Sequence, residues 1–209
     1  MEKKLIILAL LFLASLLFCQ DKAKEASKTE VWKPVPPVVT PGDNTVPPSD
    51  AVVLFDGTDL SGWVDKDGNP AGWILADGAM TVAEKSGPIF SKKTFADCQL
   101  HIEFRIPVED EGEGQGKGNS GVFLQNRYEV QVLDSYQNKT YSNGQCGAIY
   151  KQHIPMVNAC RPPGEWQTYD IYFTAPRFNE DKTLKSPGYM TVVHNGVLIH
   201  NHAELQGKT

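Results

Sequence analysis

Beyond its first twenty residues, the 209-residue sequence has no helical apolar repeat lasting three turns. Helical bundles and alternating strand–helix architectures are therefore excluded. Lysine and arginine form no stripe, and the formal net charge is −5, which argues against nucleic acid as a partner. Acidity of this size serves mainly solubility. Cysteine is scarce, at four residues, and no two of them stand at metal-finger spacing. Apolar residues, at 41%, and aromatic residues, at 10%, are ample for one core.

The two ends of the chain differ in character. Met1 to Gln20 places Lys3 and Lys4 before the apolar run Leu5 to Phe18. That run is too short and too near the N-terminus for a comfortable spanning helix, so it reads as a secretory signal. A retained anchor is the alternative, and Cys19 offers a third: lipidation after cleavage, giving attachment to a bacterial membrane. Export to the periplasm, envelope or exterior of a bacterium is the expectation, and there the sequon Asn138-Lys139-Thr140 would be silent. Residues 21–50 carry mixed charge and then Pro34, Pro36, Pro37, Pro41, Pro47 and Pro48. Repeated proline denies the backbone helix and ladder hydrogen bonds, so this segment is expected to be an extended, semi-rigid tether. The folded portion is expected over 51–209.

An exported protein meets an oxidising compartment. Cys98, Cys146 and Cys160 cannot all pair within the chain. Cys146 and Cys160 flank one loop and are the expected disulfide. Cys98 is expected to be a small buried residue.

Within 51–209 the pattern is of short strands and turns. Val52 to Phe55 reads as a strand stopped by Asp56-Gly57. Asp77-Gly78 and Asn195-Gly196 are tight-hairpin signals. Leu100 to Ile106 alternates, with Glu103 and Arg105 opposite an apolar face. Trp166 to Phe173 alternates likewise. Trp63, Trp73 and Trp166 read as core or rim packing before ligand platforms. Tyr136 to Pro163 is a long, weakly periodic excursion carrying Tyr141, Tyr150, His153 and Arg161, and loops of this length are usually functional or disordered. Glu109 to Gly118 reads as a solvated, glycine-rich acidic loop. The whole is an all-β sandwich.

The stretch Gly118 to Asp134 carries the most chemistry. It reads as two strands joined by a turn around Asn126-Arg127. Tyr128, Val130 and Val132 alternate with Glu129 and Gln131, so one face is apolar and the other holds a carboxylate and an amide. A bulge at Leu133 would return Asp134 to that polar face. A solvated outer face is the plain reading of such alternation.

Leu54-Phe55-Asp56-Gly57-Thr58-Asp59-Leu60-Ser61-Gly62-Trp63 resembles the opening signature of the 3-keto-disaccharide hydrolase domain family. Further pieces follow in that family's order: Glu103-Phe104-Arg105, Asn119 to Val122, Tyr128 to Asp134, Gly147 to Tyr150, Pro163 to Ile171, Ala175 to Phe178 and His194 to Val197. The resemblance covers Val52 to Thr209. It implies a concanavalin A-like jelly roll of two antiparallel sheets and secreted chemistry on glycosides oxidised to a ketone at C3. The family domain normally continues past Thr209, so a C-terminally truncated sandwich with an uncovered edge is expected.

Such a ketone makes the C2 hydrogen acidic, and the oxygen at C1 can then leave by elimination before water adds. The reaction needs a base at C2, stabilisation of the enolate oxygen and help for the leaving group. Glu129 or Glu103 is the candidate base. Arg105, or a divalent metal ion held by carboxylate and amide oxygens, is the candidate enolate stabiliser. His153 is the candidate acid. Gln131, Asn119, Asp134 and Tyr150 are candidate contacts to the oxidised glycoside or oligosaccharide, Asn119 being equally a turn residue. Convergence of Glu103, Arg105, Glu129 and Gln131 on one sheet is the central expectation. Two other readings use the same residues: a glycosidase with Glu129 and Asp134 as its carboxylate pair, and a non-catalytic carbohydrate-binding module that stacks sugar on aromatic loops.

Overall fold

The computed structural model describes residues 25, 27–43, 46–108 and 111–209. The signal reading of Met1 to Gln20, and Cys19 with it, lies outside the described residues. No described helix is long and apolar enough to cross a membrane. The chain divides into two units, 1–56 and 57–209.

In the first unit the proline-rich segment is exposed, but it is not extended throughout. Thr40 and Ser49 close a loop, Ser49 N–H donating to the Thr40 carbonyl at 3.1 Å and Thr40 N–H to Ser49 Oγ at 3.0 Å. Val52 to Phe55 forms no strand, and Val52 and Val53 are exposed. β-Branched residues favour a strand only where neighbours supply packing.

The second unit carries β1 (Trp63–Val64), β2 (Ile74–Ala76), β3 (Ala79–Thr81), β4 (Phe90–Ser91), β5 (Cys98–Arg105), β6 (Ser120–Leu124) and β7 (Tyr128–Val132), then β8 (Trp166–Thr174), β9 (Arg177–Phe178), β10 (Leu184–Ser186), β11 (Tyr189–His194) and β12 (Val197–Glu204). Among its described residues the helical content is two 3₁₀ turns, Gly114–Gly116 and Ser142–Gly144. One layer is an antiparallel sheet in the order β12-β11-β8-β5. The β11–β12 hairpin turns on Asn195 and Gly196, with φ of 51° and 78°, the left-handed pair that a tight hairpin requires. Asp77 and Gly78 do the same between β2 and β3.

The other layer is built on β6 and β7, paired antiparallel with Phe123 opposite Glu129 and Gly121 opposite Gln131. Their turn is centred on Gln125 and Asn126, both at φ 54°, one residue earlier than the sequence suggests. The free edge of β7 takes the segment 147–150, through Gln131 N–H to the Ala148 carbonyl and Tyr150 N–H to the Glu129 carbonyl at 2.9 and 3.0 Å. The core lies between the layers. Tyr128, Val130 and Val132 meet Tyr169, Ile171, Phe173, Met190, Val192 and Ile199, the Tyr128 and Phe173 rings lie 5.9 Å apart, and Tyr169 Oη donates to the Gln131 carbonyl at 2.7 Å. The molecule is thus the expected all-β jelly-roll sandwich.

Two histidines are enclosed beside this core. His194 Nε2 lies 3.0 Å from Gln167 Oε1, and His200 Nε2 donates to the Gly147 carbonyl at 2.9 Å. Burial lowers both, His194 to about 4, so each is held as the neutral imidazole.

Candidate functional site

Glu129 and Gln131 point away from the core, as the alternation of β7 requires. The expected solvated face is absent, however: β7 is buried throughout, with Glu129 only 9% and Gln131 1% exposed. Their cover comes from both neighbours. Phe123 and Tyr150 flank Glu129 across the two ladders, and Gly121 and Ala148 flank Gln131. Phe123 remains 49% exposed, an open ring face beside an enclosed carboxyl. Glu129 and Phe123 are a non-hydrogen-bonded pair, in which side chains approach most closely.

Two glycines make this arrangement possible. A Cβ on Gly121 would stand 2.3 Å from Glu129 Oε1, so the carboxyl occupies the space that any larger residue would take. A Cβ on Gly144 would stand 2.0 Å from the Tyr141 ring, which packs flat on that backbone. Tyr141 and Tyr150 share a hydrogen bond between hydroxyls at 2.6 Å, and Lys151 Nζ lies 5.3 Å from the Tyr150 ring centre.

The electrostatics suit proton transfer. Desolvation raises the Glu129 carboxyl above its ordinary value, because burial penalises the charged form. The bond to Tyr150, then burial and the nearby Tyr150 and Glu129 charges, push Tyr141 up to about 12. The Tyr141 hydroxyl therefore stays protonated and offers a neutral O–H donor near the carboxyl.

The central expectation is not met. Glu103 and Arg105 lie on β5, opposite Thr168 and Trp166 of β8, whereas Glu129 and Gln131 lie on β7 in the other layer. Ile102 and Phe104 pack towards the same core as Val130 and Val132. The polar residues between them therefore point out of opposite sides of the sandwich. Arg105 stacks on Trp166 at 5.1 Å, and that indole, 44% exposed, is a surface residue.

Other expected site residues have structural occupations. Asp134 follows the end of β7 and is fully buried, receiving Tyr136 N–H at Oδ1 and pairing with Lys117 Nζ, each at 3.0 Å. It cannot touch a sugar, which removes the Glu129 and Asp134 glycosidase pair. His153 Nε2 lies 2.6 Å from the Glu204 carbonyl, and with Gln152 bonded to the Gly207 carbonyl and Gln206 N–H it ties the long loop to β12. Asn119 is exposed and donates to the Gln115 carbonyl at 2.7 Å, as a turn residue would. Cys146 and Cys160 are unbridged thiols in hydrogen-bonding contact. Burial raises Cys146, and the Cys146 bond lowers Cys160 to about 7.

The sequence reading of the polar face missed Gly121, Phe123, Gln115 and Lys151 as neighbours of the site. The expected turn at Asn126-Arg127 would have set Leu124 opposite Glu129; the turn one residue earlier is what brings Phe123 there. A metal ion does not fit: Glu129 is the one carboxylate in this patch, and among the described residues no three His, Cys, Asp or Glu side chains converge. An open depression of about 650 Å³ along Glu111, Glu113, Lys117 and Lys139 is not lined by Glu129. It holds exposed charges, and the enclosed Glu129 carboxyl remains the candidate.

With that geometry in place, the comparisons decide the family. Residues 50–209 match the 3-keto-alpha-glucoside-1,2-lyase-like domain. The chain belongs to that family. A crystal structure of a "putative glycosyl hydrolase" from Parabacteroides distasonis ATCC 8503 is 51% identical, with a TM-score of 0.84, over 88% of this chain and 80% of that one. A second protein so described from the same organism is 21% identical over 71% and 70% of the two chains, with a TM-score of 0.52, and shares the fold. No curated protein matches the chain.

Proposed function

We propose that this family member is an exported bacterial enzyme that cleaves 3-keto-glycosides, with Glu129 as the base that removes the C2 proton. The observation that carries the reading is the enclosed Glu129 carboxyl, raised by desolvation and set between an exposed Phe123 ring and a tyrosine hydroxyl pair. A carboxylate of raised proton affinity is a better base at neutral pH. The names borne by the family and by the 51%-identical protein support the substrate class.

In this scheme Phe123 stacks on the sugar ring and places C2 over Glu129. The C–H electron pair becomes the C2–C3 double bond as the ketone oxygen takes up the negative charge. A protonated hydroxyl of the Tyr141–Tyr150 pair, with Lys151 beside it, stabilises that enolate oxygen in place of Arg105. The enolate then collapses, the C1–O bond breaks, and the leaving oxygen takes a proton from Glu129 or from water. Addition of water across C1 and C2 completes hydrolysis. A sugar-binding module uses a carboxylate to accept hydroxyl hydrogen bonds and gains nothing from raising its proton affinity, so the desolvated Glu129 favours the enzyme.

The test is turnover of a 3-keto-glucoside and of its unoxidised parent by the full chain, with and without chelator. Release of aglycone from the oxidised sugar alone, unaffected by chelator, is expected. Equal cleavage of both sugars, or cleavage of neither with ordinary binding, overturns the reading.

A further inference from the structure

The Gln131 amide is 1% exposed and meets acceptors on both sides. Towards β6 stand Glu129 Oε1 at 3.1 Å and the Ser120 carbonyl at 2.8 Å. On the other side stand Gln115 Oε1 at 3.1 Å and the Gly144 carbonyl at 3.5 Å. Gln115 is itself fixed, because its Nε2 donates to Thr140 Oγ1 and to the Gly144 carbonyl, each at 2.8 Å. Its oxygen is thereby left facing Gln131. An amide has one NH₂ group, so whichever way Gln131 turns, its own oxygen faces acceptors. A buried contact of that kind is costly. The neighbour that can change from acceptor to donor is Glu129, by taking up a proton.

We propose that Gln131 is a positioning residue for the Glu129 proton, its amide turning over about Cγ–Cδ as the carboxyl gains and loses that proton. This rests on the reading of Glu129 as the base. With Glu129 ionised, Nε2 donates to the carboxylate and to Ser120. When the proton arrives from substrate C2, the carboxyl O–H donates to Gln131 Oε1, and Nε2 swings to Gln115 and Gly144. Loss of the proton to the departing oxygen restores the first arrangement. The other titratable and charged groups around Glu129 are Tyr150, Tyr141 and, over the Tyr150 ring, Lys151; β6 contributes none, and Arg127 stands two residues away at the turn.

The two partners predict shifts of opposite sign. Gln131→Met removes the donor to the ionised carboxylate, so Glu129 should titrate about one pH unit higher, a tenfold change in proton affinity. Gln115→Met removes the oxygen that competes for Nε2, so Glu129 should titrate lower. Both are measured on the full chain by carbon NMR of labelled glutamate, with the Glu129 signal identified by its loss in Glu129→Gln. The acidic limb of kcat/KM on a 3-keto-glucoside should move with each. Shifts of the same sign, or a fixed Glu129 midpoint with only a lower melting temperature, overturn the inference. If Gln131→Met does not fold, the Gln115→Met midpoint alone decides, and failure to fall refutes the proposal. Opposed NMR shifts in a protein inactive on every 3-keto-glucoside would keep the amide switch and reject the proposed reaction.

Discussion

Gly121→Ala separates the position of Glu129 from the stability of the fold. The added Cβ would stand 2.3 Å from Glu129 Oε1 and 2.9 Å from its Cγ and Cδ. Gly121 is not among the positive-φ residues, so alanine suits the backbone, and replacing glycine within a strand favours the fold by roughly 0.5–1 kcal/mol. The clash falls on a flexible side chain and not on backbone, so the carboxyl yields, by about 1 Å, to regain van der Waals contact. A displacement of that size at a reacting group costs on the order of 100-fold in rate, equivalent to about 2.7 kcal/mol of barrier. The strand gain and the residual crowding roughly offset, leaving the melting temperature within about 5 °C of the parent. Thermal melts alongside kcat/KM on a 3-keto-glucoside check both halves. Activity within about threefold of the parent, with the fold intact, would show that Glu129 does not need this position. A melt lowered by more than about 10 °C would show that Gly121 protects backbone packing instead.

Four further outcomes are expected. Glu129→Gln should cost at least about 100-fold in turnover; because burial raises the folded carboxyl above 4.5, stability should fall as pH rises through the unfolded value towards the folded one, and this variant should lose that slope in denaturant titrations. Arg105→Ala should leave kcat/KM within about threefold, since its side chain leaves the opposite face of the sandwich; a loss of about 100-fold would reject the site assigned here. Oxidation should join Cys146 to Cys160, seen as loss of two hydrogens by mass and a gain on the order of 3 kcal/mol for a loop of this length; two thiols still reactive after oxidation would refute it. His194 falls from 6.5 to about 4 in the fold, so it contributes stability above the unfolded value that is lost as pH drops towards 4, on the order of 3 kcal/mol; His194→Gln should flatten that acid limb of the denaturation curve.

Much of the fold was legible because two-residue alternation and turn chemistry act locally. Leu100 to Ile106 and Trp166 to Phe173 became β5 and β8 with the expected faces inward, and Asn195-Gly196 formed its hairpin. Val52 to Phe55 failed for the converse reason: its apolar, β-branched residues state a preference but not a neighbour. Asp134 shows a third case. Its approach to the polar face of β7 was foreseeable, but burial and the Lys117 contact arise from a loop seventeen residues upstream turning back over it, and no local pattern encodes that return.

The misplacement of Glu103 and Arg105 has a deeper cause. Alternation tells which side chains leave the core; it does not tell through which of the two outer surfaces of a sandwich they leave. β5 and β7 have the same pattern, and β6 intervenes between them in sequence, so a hairpin-connected run through all three would have put their polar faces together. β5 instead lies in one layer with β8 as its partner, and β6 lies in the other. One boundary, invisible to periodicity, therefore exchanges an arginine for a tyrosine pair beside the candidate base. Each would stabilise an enolate differently. A guanidinium pairs with the carboxylate and lowers its proton affinity, whereas here, among the described residues, no cation pairs with Glu129 and burial raises that affinity. The observed layer assignment thus favours a base of raised proton affinity, which the Arg105 arrangement would have suppressed.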